Sequence, residues 1–216
     1  MSLETAHTIQ ITSLTPGDTL KIEENGYHVN YIYLGEAYSN AIVIRDTLTV
    51  SRRQNSQSSG SYPVDYENNY VDSWLTTTFL GRFSSDVVAN LALSEINSLT
   101  YDGAAGSNTI SRSVFLLSAK EAGLTSTETG VSFLNALKTA KNTISATTAR
   151  ISRDSGGTAQ EWWLRSAYTS DSNRYQTILA SGVNSYAQQT TAKYLRPALS
   201  LKKSTMVTVT ENGYIL

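Results

Sequence analysis

His7 and His28 are the only imidazoles in 216 residues, and there is no cysteine at all. Those two facts narrow the chemistry at once. Thiolate metal sites, disulfides and cysteine nucleophiles are excluded. His28 lies between Tyr27 and Val29 with no Asp or Cys at relay or ligand spacing, so it reads as an ordinary strand residue. No His-Glu-x-x-His, phosphate-cradling glycine loop, Gly-x-Ser-x-Gly or dinucleotide fingerprint occurs. Ser200-Leu201-Lys202-Lys203 spells Ser-x-x-Lys, but residues three apart on a strand point to opposite faces. A glycosidase needs two carboxylates flanking one cleft. Asp65, Glu67, Asp72, Asp154 and Asp171 are available, yet sequence alone brings no two together. The expectation is a protein without catalytic residues, metal or cofactor.

Recognition chemistry is better supplied. The chain holds 29 Ser, 27 Thr, 14 Asn and 13 Tyr, against a charged fraction of 16%. Tyrosine offers rigid contact area, while Ser and Asn offer adaptable hydrogen bonds, the combination found on recognition surfaces. Thr and Tyr also serve strands by propensity alone. Within Ser166–Arg174, Tyr168, Asp171, Asn173 and Arg174 combine a flat aromatic with hydrogen-bonding and charged groups, and they form the candidate binding site. The net charge is -1, and Arg52-Arg53 and Lys202-Lys203 are the only paired cations. Nucleic-acid binding needs a concentrated basic face, so none is expected. No apolar run reaches membrane-spanning length and no secretory signal is visible, so no membrane insertion is expected.

These groups must be positioned by strands at both ends and helices between. Thr8–Ile11, Thr19–Glu23, His28–Leu34 and Ala41–Ile44 alternate or run apolar, punctuated by Pro16-Gly17-Asp18 and by Asn25-Gly26, a strong hairpin dipeptide. Ser51–Tyr62 has no periodicity and reads as a loop. Val71, Trp74, Leu75 and Phe79, then Val87, Val88 and Leu91, recur at helical spacing and predict two short helices split near Gly81-Arg82. Thr100–Asn108 is irregular, and Val114–Leu117 is a buried strand. Ser118 and Glu121 form a capping box that starts a brief helix; Thr125 and Glu128 form another. The second leads to the apolar stripe Phe133, Leu134, Leu137 and Ala140. Residues 144–159 carry no pattern. Strands follow at Trp162–Ser166, Tyr175–Ala180, Val183–Ala187 and Tyr194–Leu201, and a final hairpin joins Met206–Thr210 to Tyr214–Leu216 through Glu211-Asn212-Gly213.

Two segments are distinctive: Glu161-Trp162-Trp163-Leu164-Arg165-Ser166 and Tyr194-Leu195-Arg196-Pro197-Ala198-Leu199-Ser200-Leu201. Adjacent tryptophans on a strand face opposite sides, one toward the core and one beneath the Ser/Thr-rich loops. Arg165 and Arg196 each sit in an apolar strand, where a buried guanidinium demands carboxylate or carbonyl partners. Glu161 and Glu121 are the candidates. Trp162, Trp163, Arg165 and Arg196 are therefore expected to be structural core.

Together these segments resemble a largely uncharacterised domain family of Gram-positive bacteria and their phages, whose members carry WWLRSP-like and (V/L)RPAL endings. Val114–Glu121 is similar to the family's "(V/I)-(F/W)-L-L-S-x-x-E" step, and Asn69–Leu75 to its helix start. The resemblance spans about residues 20–203, with a β tail at 204–216. Ala167 departs from the pattern, standing where a Pro usually follows the Ser. The family looks related to the C-type-lectin-like fold. Strands first, helices in the middle and a β-rich end, with no long linker, indicate a single α+β domain over 1–216, with antiparallel β-sheets and short helices packed beside them; the resemblance adds the C-type-lectin-like assignment. Two relatives of that fold are excluded as analogies: formylglycine-generating enzymes need cysteines, and the calcium-site motifs of sugar-binding C-type lectins are absent.

Since a fold hosts many functions, three readings stand. The leading one is a non-enzymatic bacteriophage virion protein of the tail, baseplate or capsid surface. It would partner other virion proteins or copies of itself and have a host-recognition role. The others are a bacterial cell-surface domain binding glycan or protein, and a polysaccharide hydrolase. The first would be assembled in host cytoplasm and located on the virion; the second would sit at the cell surface.

Overall fold

The chain's structure is a computed structural model, and it describes residues 7–55, 65–99, 107–126, 128–168, 171, 173–211 and 213–216. It is α+β, mostly sheet with a few short helices. From the N-terminus come β1 (Thr8–Gln10), β2 (Thr19–Glu24), β3 (Tyr27–Ala37), β4 (Asn40–Arg45) and β5 (Ser51–Arg52). Helix α1 (Tyr70–Trp74) runs through a π-helical turn (Leu75–Phe79) and a 3-10 turn (Leu80–Arg82) toward α2 (Ser85–Asn90). Then follow β6 (Ser94–Leu99), β7 (Ser107–Arg112), β8 (Val114–Leu116), α3 (Leu134–Ala140) and α4 (Ala146–Arg150). The last part comprises β9 (Trp162–Ala167), β10 (Arg174–Ile178), β11 (Asn184–Gln188), β12 (Lys193–Tyr194), β13 (Pro197–Leu201), β14 (Met206–Thr210) and β15 (Gly213–Ile215).

Eight strands form one sheet in the order β1-β14-β15-β2-β3-β4-β13-β8, five form a second in the order β11-β10-β9-β12-β5, and β6 pairs with β7. The order of elements leads to an expectation of antiparallel sheets, but the sheets are not antiparallel throughout. β15 runs parallel to β2, and β12 runs parallel to β9. In each case the chain returns from an intervening hairpin to lie beside an earlier strand.

The hairpins follow local chemistry. Asn25 (φ 51°) and Gly26 (φ 80°) make the tight turn between β2 and β3, as that dipeptide predicts. Tyr38 and Ser39, at φ 53° and 65°, make a second one between β3 and β4 without a glycine. Both are primed turns, whose twist suits flanking antiparallel strands. Of the C-terminal turn, Asn212 lies outside the described residues, and so do residues 56–62 of the expected Ser51–Tyr62 loop and 100–106 of the irregular stretch.

Three helices are capped by the residue before them. Asn69, Ser84 and Ser145 each accept a hydrogen bond from an amide in the first turn. Two expected helix starts take another form. Ser118 and Glu121 do make the reciprocal capping box, Glu121 N to Ser118 Oγ at 3.2 Å and Ser118 N to Glu121 Oε2 at 2.9 Å. It closes a single turn, and Glu121 is also held by Arg165 of β9. Glu128 does not start a helix: its carboxylate takes the Ser166 hydroxyl, and α3 begins six residues later.

One continuous core joins the two sheets and the helices. Every residue of β9 is buried, so that strand is covered on both faces. α3 packs on β3 and against α4. The expected strand 194–201 is two strands. Tyr194 pairs with Trp162 in the five-stranded sheet, and Ala198 pairs with Ile44 in the other. Leu195 and Arg196 carry the chain across, and Pro197 lacks the amide a continuous ladder would need.

Candidate functional site

The two motif segments build the support for the site. Trp162 and Trp163 are both fully buried. Trp162 Nε1 donates to the Arg150 carbonyl at 3.2 Å, and Trp163 Nε1 donates to the Arg52 carbonyl at 2.8 Å. Each indole therefore ties β9 to a different neighbour. Trp163 also meets the Tyr175 ring edge-on at 6.4 Å.

Arg165 forks onto Glu121, Nη1 to Oε2 at 2.5 Å and Nη2 to Oε1 at 2.7 Å, with both side chains 1% exposed. Its Nη1 and Nε also donate to the carbonyls of Leu116 and Asn97, each at 2.7 Å. Burial alone would lower the guanidinium, but the adjoining Glu121 carboxylate outweighs it and holds the group above its ordinary value. The Tyr38 hydroxyl donates to the same carboxylate, and burial and that negative charge together push the phenol well up. Glu161 is not the partner: it accepts from Thr177 Oγ1 and pairs with Lys193. Arg196 is also fully buried but less fully served. Nε donates to the Arg45 carbonyl at 3.0 Å, Nη2 lies 3.8 Å from Asp46 Oδ1, and Nη1 has no partner among the described residues. Burial lowers its pKa to about 10, with Asp46 opposing.

Past Ser166, the chain reaches the candidate site. Ala167 ends β9 paired with Tyr175. Tyr168 N donates to the Arg174 carbonyl, Asp171 N to the Tyr168 carbonyl and Arg174 N to the Asp171 carbonyl, so the loop is a set of nested turns. Thr169, Ser170 and Ser172 lie outside the described residues. Asp171 Oδ1 accepts from Asn173 N at 3.0 Å, and its Oδ2 lies 2.9 Å from Arg174 Nε. Asn173 Oδ1 accepts from Gln189 Nε2 at 3.4 Å.

All four candidate residues thus belong to one cluster, and the structure adds a fifth, Tyr186. The Tyr168 and Tyr186 rings stack at 4.1 Å and 16°, and the Arg174 guanidinium lies 5.1 Å from the Tyr186 ring centre. Tyr186 is 43% exposed. Register continues the face: Arg174 is opposite Gln188, and Gln176 is opposite Tyr186. Directly opposed residues point the same way, while the alternate residues Tyr175 and Thr177 are buried behind them. The result is a stacked aromatic pair flanked by an arginine and two glutamines at the outer edge of the five-stranded sheet. Tyr186 was missed because only the β10–β11 register puts it beside Tyr168, 18 positions earlier. The available signal was the alternation in Asn184–Gln188.

Such a face can stack on a flat apolar surface and donate or accept hydrogen bonds around it. The Asp171–Arg174 pair is 36% exposed on each side, and a pair so exposed adds about 0–1 kcal/mol. Its effect is to orient the guanidinium over the ring. Two of the carboxylates considered for hydrolysis are held by other groups. Asp72 is forked by Arg112 at 2.7 and 2.9 Å, and Asp154 accepts from the Gly156 and Thr158 amides and from Gln160. Those hydrogen bonds, Gln160 first, lower the Asp154 pKa. Among the described residues, no three His, Asp or Glu side chains gather as a metal site.

No curated protein and no solved structure matches the chain. A family match exists over residues 38–203, starting in the β3–β4 turn rather than near residue 20 and ending before β14. It covers well over half of the 216 residues, so the chain belongs to that family, a domain of unknown function (DUF6273).

Proposed function

We propose that this chain is a non-enzymatic recognition module with a C-type-lectin-like fold, carried on a bacteriophage virion, that binds a glycan of the host surface through Tyr168, Arg174 and Tyr186. The observation that carries the reading is the Tyr168–Tyr186 stack, with Tyr186 exposed and Tyr168 half-buried, Arg174 beside the Tyr186 ring, and Gln176 and Gln188 alongside. A sugar ring presents C–H bonds on one face and hydroxyls around its rim. An aromatic platform answers the first and amides the second. Asp171 and Asn173 set the loop and thereby the guanidinium. The WWLRS and RPAL segments support the C-type-lectin-like assignment, as do first and last strands that meet in one sheet. The Ser-, Thr-, Asn- and Tyr-rich composition suits a particle surface, where the chain would contact other virion proteins or its own copies. The alternative setting, a bacterial cell surface, would use the same face.

The test is co-sedimentation of the protein with purified, protein-stripped Gram-positive cell walls. Saturable binding is expected. Tyr186→Ala and Tyr168→Ala should each weaken it about tenfold, the scale of losing one aromatic anchor of roughly 1–2 kcal/mol, with unchanged melting temperature. Parent-like binding by both variants would refute the site, and release of soluble reducing sugar during the incubation would refute the non-enzymatic reading.

A further inference from the structure

A second site with different chemistry lies where β4 ends. A pocket of about 250 Å³ is lined by Asp46, Thr47, Lys141, Thr148, Ile151 and Arg153. These residues come from the end of β4, the end of α3, and α4 with the segment after it, so five of the lining groups are polar and Ile151 supplies the apolar wall. The pocket is separate from the Tyr168–Tyr186 face. Thr147 and Arg150 of α4 abut Gly182 in the turn between β10 and β11, whereas Arg174 and Gln188 pair at the open end of that hairpin.

The charges do not balance. Lys141 Nζ lies 2.5 Å from Asp46 Oδ1, and that same oxygen is 3.8 Å from Arg196 Nη2. The one lining carboxylate therefore answers two cations. Arg196 is buried outside the lining, so the second lining cation is the exposed Arg153, whose Nη1 donates to the Gly157 carbonyl at 2.8 Å. Among the described residues its other nitrogens donate no hydrogen bond. The hydroxyls add to the donor excess. Thr47 Oγ1 accepts from Arg45 Nη1 at 2.6 Å, which leaves its hydrogen free to donate elsewhere. Two lining cations, one carboxylate already shared between Lys141 and the buried Arg196, and an available hydroxyl leave the pocket with more donors than acceptors.

We infer that this pocket binds a small ligand through an oxyanion, a carboxylate or phosphate group held between Lys141 and Arg153 with the Thr47 hydroxyl donating to it. Guanidinium and ammonium groups both suit such an oxyanion, and hydrogen bonds to charged groups are the stronger kind. The volume admits a ligand of roughly monosaccharide size, below the range typical of drug-sized sites. The inference does not rest on glycan binding at the tyrosine face.

Isothermal titration calorimetry of the full chain at fixed ionic strength tests it, with inorganic phosphate, glucuronate and, as neutral control, glucose. Saturable binding of phosphate or glucuronate but not glucose is expected, and the tighter of the two identifies which oxyanion the pocket suits. Arg153→Met and Lys141→Met should each weaken that binding about tenfold or more. Asp46→Asn, which frees Lys141 from its carboxylate, should strengthen it. Arg153→Met is the cleaner variant, because among the described residues Arg153 holds no carboxylate whose loss would disturb the fold. Absence of saturable binding by both oxyanions, equal binding of glucose, or parent-like affinity in Arg153→Met and Lys141→Met would overturn the inference.

Discussion

Arg165 carries a full charge into a strand buried on both faces, and it stays there because every direction its guanidinium points is answered. Glu121 takes the fork, and the Leu116 and Asn97 carbonyls take the rest. Removing one partner of a buried pair leaves the other charge unmatched, at a cost of about 3–5 kcal/mol. Arg165→Met and Glu121→Gln should each lose that much in urea unfolding, while Arg165→Met with Glu121→Met should lose clearly less than the sum. Additive losses, or single losses below about 1 kcal/mol, would contradict a coupled buried pair. The need for a carboxylate here was legible in the sequence, since an arginine between Leu164 and Ser166 in an apolar strand has few other solutions. Which carboxylate was not. Glu161 is nearer in sequence, but Thr177 and Lys193 claim it, and only the packing of the 118–121 turn against β9 brings Glu121 in. Arg196 resolves the same need differently, with carbonyls and a distant Asp46. Tyr186 and the pocket residues 46, 141 and 153 were invisible for a simpler reason: chain folding, not spacing, assembles them.

Elements were readable where apolar residues kept a period. The β2–β3 hairpin announces itself through Asn25-Gly26, and α3 through Phe133, Leu134, Leu137 and Ala140. β6 and β7 gave no such signal. Their sequences are Ser-, Asn- and Thr-rich, and each places one isoleucine inward, Ile96 directly opposite Ile110. One apolar residue in β7, and two in β6 placed three apart, are no alternation. α4 was hidden likewise, because its Thr147 and Thr148 favour other conformations and its Ser145 cap reads equally as loop. What fixes α4 is contact. Gly182, at φ +81°, turns β10 into β11 directly against it, and an added Cβ would lie 1.9 Å from the Thr147 carbonyl oxygen. Gly182→Ala should therefore destabilise the fold by about 2–4 kcal/mol, from backbone strain and overpacking together. For a chain of this size that is a fall in melting temperature of roughly 5–15 °C. An unchanged melting curve would mean that the hairpin and α4 are not so closely packed.

At the scale of the molecule, the two chain ends complete the large sheet. β14 lies between β1 and β15, and β15 lies between β14 and β2, so the segment after the family match is stitched to the segment before it. What read as a tail is the structural partner of the N-terminal strands. This end of the sheet lies outside the matched region 38–203, whereas β9, β10 and β11, which present the tyrosine face, lie within it. Glycan recognition by that face is the central claim, and at 23.6 kDa the protein suits its most direct test, amide chemical-shift mapping by NMR. Neutral oligosaccharides released from host cell walls would be titrated into the isotope-labelled protein. Saturable shifts are expected at Tyr168, Asp171, Asn173, Arg174, Gln176, Tyr186 and Gln188, with β1, β14 and β15 unmoved. Shifts centred elsewhere, or none at saturating oligosaccharide, would contradict it.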